Sequence, residues 1–154
     1  MKALELKVPP PAVGLLAVLA MWGIARAVAP SFAWPASVRI TALVALVLVG
    51  AAFTLVGAAA FRRVGTTVSP LKPQRASSLV TTGIYRFTRN PMYLGMVVAL
   101  IGVAVYFATP WTLLGPVAFV LYMTRWQIVP EERALLALFG SDYTGYCGRV
   151  RRWI

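Results

Sequence analysis

Two short polar clusters hold most of the chemistry available to this chain. The first contains Arg86, Arg89, Asn90 and Tyr93; the second is the adjacent pair Glu131 and Glu132. A site built from them has guanidinium donors for a carboxylate, carboxylates for hydroxyl or ammonium groups, and aromatic faces for a cation. The chain has no histidine, which removes imidazole acid–base chemistry and histidine-based zinc or haem ligation. Its single cysteine, Cys147, excludes an intrachain disulfide and a multi-cysteine metal site, so no metal is expected.

The elements that must position these groups are apolar. The chain is 60% hydrophobic and 12% charged over 154 residues, too apolar for an ordinary soluble domain. Uncharged runs cover residues 8–25, 40–61 and 90–124, the last of 35 residues. As one helix that run would reach roughly 52 Å against a hydrocarbon core of about 30 Å. It is therefore split at Thr109-Pro110-Trp111, where Pro110 has no N–H to donate. The expected fold is all-α: a polytopic membrane protein with four transmembrane helices at about 11–29, 37–61, 91–108 and 111–129, plus a short C-terminal helix. One membrane-embedded domain, 1–154, accounts for the whole length, with helices one and two in 1–61 and the ligand-binding core in 62–154.

The third and fourth helices form an antiparallel hairpin, which returns the chain to its starting face and brings the two clusters together. Charge sets the orientation. With the N-terminus inside, thirteen basic residues, from Lys2 and Lys7 to Arg151 and Arg152, fall on the cytoplasmic side, and only Arg26 and Arg39 near the other. Both termini and the 62–90 loop are then cytoplasmic. The net charge of +11 is juxtamembrane and no nucleic-acid module is recognisable, so no nucleic-acid partner is expected.

Ala27-Val28-Ala29 resembles a signal-peptide cleavage site, but the long apolar stretch with Trp22 and the following Pro30 favour a retained helix. Arg26 can snorkel from its outer end. Gly50 and Gly57, with neighbouring alanines, suit close helix packing in helix two. In the 62–90 stretch Pro70 and Pro73 break regular structure, while Leu79, Val80, Ile84, Tyr85 and Phe87 are interleaved with polar residues. Such a loop either folds back on the helix ends or binds anionic lipid. After helix four, Pro130, Glu131 and Glu132 open a helix that Gly140 is expected to stop, and Arg149, Arg151, Arg152 and Trp153 form an interfacial anchor. On residue types alone, the glutamates can equally pair with Arg86, Arg89 or Arg133 merely to neutralise interfacial charge.

The segment L-V-T-T-G-I-Y-R-F-T-R-N-P-M-Y-L-G, residues 79–95, resembles the signature of the isoprenylcysteine carboxyl methyltransferase and phospholipid methyltransferase superfamily. The later P-E-E-R-x-L-x-x-x-F-G-x-x-Y-x-x-Y is similar to its second signature in order and spacing. Together with the hairpin they cover residues 79–154. The resemblance implies a small integral-membrane methyltransferase using S-adenosylmethionine. Carried over by position, Gly83, Tyr85, Asn90, Pro91 and Tyr93, with Glu131, Glu132, Tyr143 and Tyr146, are implied to bind the cofactor. Arg86 and Arg89 are implied to act at the reacting groups. One departure matters: eukaryotic members usually carry histidine where this chain has Asn90, and asparagine cannot carry a proton near neutral pH.

The implied reaction is in-line methyl transfer to an amphiphilic or small acceptor, a carboxylate, thiol or amine, arriving from the membrane lipid. Positioning alone can lower such a barrier by roughly 7–11 kcal/mol, and a carboxylate or thiolate acceptor needs no base. Alanine, arginine and valine richness points to a high-GC bacterial source, hence the bacterial inner membrane. Two other readings stay open here: a sterol-reductase-like nicotinamide enzyme, and a non-catalytic scaffold or lipid-binding protein.

Overall fold

Proline sets where the helices begin. The computed structural model describes residues 4–65 and 71–154; Lys2 and Pro70, invoked above, lie outside them. Helix α1 runs Pro10–Ala27 and α2 runs Ala36–Val64 behind Pro35. Helix α3 runs Pro91–Phe107, a 3-10 turn spans Pro110–Leu113, α4 runs Leu114–Tyr122, and α5 runs Val129–Arg149 with Pro130 in its first turn. A proline there gives up an N–H that would have had no intrahelical partner. Two further 3-10 turns, Pro73–Arg75 and Gly83–Arg86, punctuate the 71–90 stretch. No strand occurs among the described residues. Helices α1 and α2 are long and apolar enough to cross a membrane, and α3 is a shorter apolar helix.

The split at Thr109-Pro110 occurs as the sequence implies. Helix α3 ends at Ala108 in the left-handed conformation (φ 54°), and Thr109 is extended, as a residue before proline prefers. The Ala108 carbonyl accepts the N–H groups of Ser31 (2.9 Å) and Phe32 (3.2 Å), which ties the α1–α2 connection to this end. Arg39 donates from Nη1 to the Tyr106 carbonyl at the same end (3.2 Å).

The fourth helix differs from expectation. It does not stop near 129; the chain passes from α4 through a π-helical segment, Met123–Ile128, directly into α5. Pro130 supplies part of the reason: it has no N–H for the carbonyl four residues back, that of Trp126. The Leu6 N–H takes that carbonyl instead (3.1 Å), and Glu5 pairs with Arg133 and Arg125. The residues just ahead of α1 are thereby fastened to the α4–α5 junction. Gly140 also does not end the last helix. It sits at φ 48°, ψ −119° as a kink, and the helix resumes to Arg149. A left-handed residue inside a helical path reverses its local direction, and glycine bears that without a Cβ clash.

Packing divides the molecule in two. Val13, Met21, Tyr93, Leu100, Ala104, Phe119, Met123 and Ile128 form a core between α1, α3 and the α4 path. Helix α2 packs along α3 through a glycine seam. A Cβ on Gly50 would collide with the Gly95 carbonyl, and one on Gly95 with the Gly50 carbonyl. Cβ atoms on Gly57 and Gly102 would lie 2.8 Å from Met92 Cγ and 2.9 Å from Leu46 Cβ. The backbones touch because nothing stands between them, which is how apolar helices associate where lipid cancels the hydrophobic drive.

Candidate functional site

The cleft lies where the start of α3, the start of α5 and the 73–90 stretch meet. It encloses about 840 Å³, counting the part open to solvent, within the roughly 300–1,000 Å³ of small-molecule sites. Its polar wall is Arg89, Asn90, Tyr93, Glu131 and Glu132; Tyr85, Tyr143 and Tyr146 add aromatic faces. Phe61, Met92, Leu79, Val80, Ile128 and Leu135 make the rest apolar.

Local sequence explains each placement. Thr88, Asn90 and Pro91 make the turn into α3: the Asn90 N–H donates to Thr88 Oγ1 (3.1 Å), and Pro91 starts the helix. Tyr93, one turn in, lies 6% exposed with its hydroxyl donating to Glu131 Oε1 (2.6 Å). Gln127, four residues before Glu131 on the same helical path, donates Nε2 to the same oxygen (2.6 Å). The two clusters thus meet directly across the hairpin. Arg89 Nη1 stands 3.1 Å from Glu132 Oε1 and also contacts Tyr143 Oη (3.5 Å) and Cys147 Sγ.

Arg152 completes the ion-pair group, giving Nε to Glu132 Oε1 (2.9 Å) and Nη2 to Oε2 (2.7 Å). The Gly140 kink lays Tyr143 and Tyr146 back over Leu79, Leu135 and Phe139, and the Tyr146 hydroxyl donates to the Tyr85 carbonyl (2.7 Å). Phe61, at the end of α2, meets Tyr85 edge to face at 5.3 Å. The 71–90 stretch folds back on the helix ends, as one of its two sequence readings holds.

Three residues implied by the resemblance do not line this cleft. Arg86 is exposed at the end of its 3-10 turn. Gly83 is exposed with φ +62°, a turn position rather than a ligand contact. Pro91 is buried against the place where a Gly57 side chain would stand. Conversely, Gln127 and Arg152 are functional neighbours that sequence reasoning misses. Four-residue spacing on a helix is a usable signal for Gln127. Nothing local marks Arg152, whose type and place in the tail suit an interfacial anchor.

Electrostatics separate the two glutamates. Burial raises the Glu131 carboxyl from its ordinary 4.5 to about 7; the bonds from Tyr93 and Gln127 pull it down and the Glu132 charge adds to the rise. The hydroxyls of Tyr85, Tyr143 and Tyr146 are pushed up, mainly by burial, and stay neutral. Because folding raises the Glu131 value, its contribution to stability is fully present below pH 4.5 and is lost as pH rises through about 7. At about 1.4 kcal/mol per unit, the loss is on the order of 3 kcal/mol. The thermal midpoint of purified protein is expected to fall between pH 5 and 7.5, and Glu131→Gln to flatten that fall. An equally steep fall in the variant assigns the titration to another group.

Comparison with known proteins agrees with this arrangement. An uncharacterised protein of Haemophilus influenzae is 33% identical over 63 residues, 41% of this chain and 100% of that protein. A probable protein-S-isoprenylcysteine O-methyltransferase of Oryza sativa subsp. indica is 36% identical over 75 residues, 47% of this chain and 38% of its own length. Protein-S-isoprenylcysteine O-methyltransferase B of Arabidopsis thaliana is 30% identical over 88 residues, 55% of this chain and 43% of its own. The chain thus spans about two fifths of the length of these plant relatives. No solved structure matches it. The phospholipid methyltransferase profile matches residues 38–142, more than half of the 154. A match of that extent, taking in α3 and the paired glutamates, means that the chain belongs to the phospholipid methyltransferase family.

Proposed function

We propose that this protein is an integral-membrane methyltransferase that takes S-adenosylmethionine from the cytoplasm and methylates an amphiphilic or small acceptor reaching the cleft from the lipid. Residues 1–154 act as one domain. In this reading the chain crosses the membrane four times, through α1, α2, α3 and the path from Pro110 to Ile128. Both termini are then cytoplasmic, in what is taken to be a bacterial inner membrane.

The observation that carries the reading is the convergence of Arg89, Tyr93, Glu131 and Glu132 on one cleft in a chain of this family. The cleft also fits the cofactor chemically. Arg89 Nε is buried without a hydrogen-bond partner, a donor suited to a carboxylate. Of the roughly four acceptor positions on a carboxylate, Arg152 and Arg89 occupy three on Glu132, which leaves one on Oε2 for an amino or hydroxyl group. Tyr85, Tyr143 and Tyr146 offer faces for a purine or a cation.

When bound, S-adenosylmethionine supplies an electrophilic methyl group on a sulfonium. The residues bind and orient: Arg89 holds a carboxylate, Glu132 and Glu131 hold hydroxyl or ammonium groups, and the tyrosines exclude water. Asn90 has its side-chain amide committed to the Arg152 carbonyl (2.9 Å), so it handles no proton. The apolar half of the cleft, from Phe61 to Leu135, receives the acceptor.

Glu131→Gln with Glu132→Gln is expected to weaken S-adenosylmethionine binding at least about tenfold by calorimetry, the size of a lost charged hydrogen bond. Unchanged affinity removes both from the site. Thermal shift with S-adenosylmethionine, S-adenosylhomocysteine and NADPH separates the rivals, since a reductase responds to the third and a scaffold to none. Radiolabelled cofactor incubated with membranes identifies the acceptor.

A further inference from the structure

The last five residues are not a free tail. Beyond the end of α5, Val150 is extended and buried, and the chain crosses back over the turn into α3. The Arg151 carbonyl accepts the Arg89 N–H (3.0 Å). The Arg152 carbonyl accepts Asn90 Nδ2 (2.9 Å) and Thr88 Oγ1 (3.4 Å). Trp153 Nε1 donates to Thr124 Oγ1 (3.1 Å), whose own hydroxyl donates to the Val120 carbonyl (2.7 Å). Four residues thus strap the start of α3 to the π-helical segment.

Arg152 is fixed at both ends. Its backbone is held by Asn90 and Thr88, and its guanidinium grips Glu132 through two parallel bonds. A bidentate fork constrains a carboxylate in plane and direction, which a single bond does not. Arg89 then touches the same carboxylate from the cleft side at 3.1 Å. Arg152 itself is absent from the cleft lining.

We infer that Arg152, carried by the strap 150–153, is a positioning residue that aims Glu132 Oε2 and, through Glu132, Arg89 at the bound ligand. The inference rests on the methyl-donor reading given above. It also gives Asn90 a role, because its amide locks the strap through a donation that needs no titratable group.

A double-mutant cycle on S-adenosylmethionine affinity, with the full chain in detergent, tests it. Arg152→Ala is expected to raise the dissociation constant roughly tenfold or more, as loss of a supporting hydrogen-bonded partner typically does. In a Glu132→Gln background the same change is expected to add less than about twofold, because the group being aimed is already altered. Arg152→Lys keeps the charge and loses the fork, so it is expected to recover only part of the affinity, with its thermal midpoint at the unaltered value. Arg149→Ala, exposed on the same helix, is expected to leave affinity unchanged. Equal losses from Arg152→Ala in both backgrounds, or full recovery by lysine, overturn the positioning role while leaving the methyl-donor reading intact. No binding by the unaltered protein sinks that reading and this inference with it.

Discussion

Arg89→Ala is expected to abolish most S-adenosylmethionine affinity while leaving the fold standing. Truncating one partner of a buried, hydrogen-bonded charge pair costs about 2–5 kcal/mol in binding, so the dissociation constant should rise at least about a hundredfold. Two features separate this from ordinary destabilisation. Glu132 keeps its fork from Arg152, so no buried carboxylate is orphaned. The group removed also includes the buried Nε that has no partner within the protein. Arg86→Ala and Arg151→Ala delete exposed side chains of the same charge from the same end of the molecule. Each is expected to change affinity less than about threefold. Equal losses from all three would make the effect a general field of positive charge, and Arg89 would leave the site.

The second large effect is structural. Gly95→Leu is expected to separate α2 from α3. The first carbon alone would collide with the Gly50 carbonyl and lie 2.7 Å from Thr54 Oγ1 and 3.1 Å from Phe53 Cβ. Two of those three are backbone or Cβ atoms that cannot swing away, so the helices must move. Overpacking of this kind costs about 1–3 kcal/mol for small additions, and a leucine is expected to reach the upper end or exceed it. The cleft should suffer too, since Phe61 and Met92 at the end of the same seam form its apolar wall. Gly23→Ala is the matched control: nothing lies within 4 Å of its Cβ, and alanine is the better helix former by about 1 kcal/mol. Its thermal midpoint should hold or rise. If Gly95→Leu melts with the unaltered protein, the seam is not what joins these helices.

The seam also shows how far patterning reaches. Gly50 and Gly57 mark α2 as a helix to be approached closely, and the approach occurs at those residues. The sequence does not name the partner stripe, Gly95 and Gly102 on α3, because matching two faces requires the register of one helix against the other. The break at Pro110 is readable for a local reason, since proline removes a donor and restricts the residue before it. The same local logic fails at Gly140. A left-handed glycine is compatible with a helix end or a kink, and the packing of Tyr143 and Tyr146 onto Leu135 and Phe139 decides between them.

Residue order and type alone determined the all-helical class, the hairpin after Asn90, and the meeting of Arg89 and Tyr93 with Glu131 and Glu132. Those follow from bond-length-scale rules: helical rise, proline chemistry, and the return of an antiparallel pair to one end. Tertiary structure alone decided which arginines matter. Arg86 and Arg89 are three residues apart and chemically identical, yet one is exposed and the other holds Glu132. Arg152 reaches the same carboxylate from 20 positions away because a kink and a strap bring it back. Contacts closed by such long loops depend on how the helices pack, and no local pattern of residues encodes them.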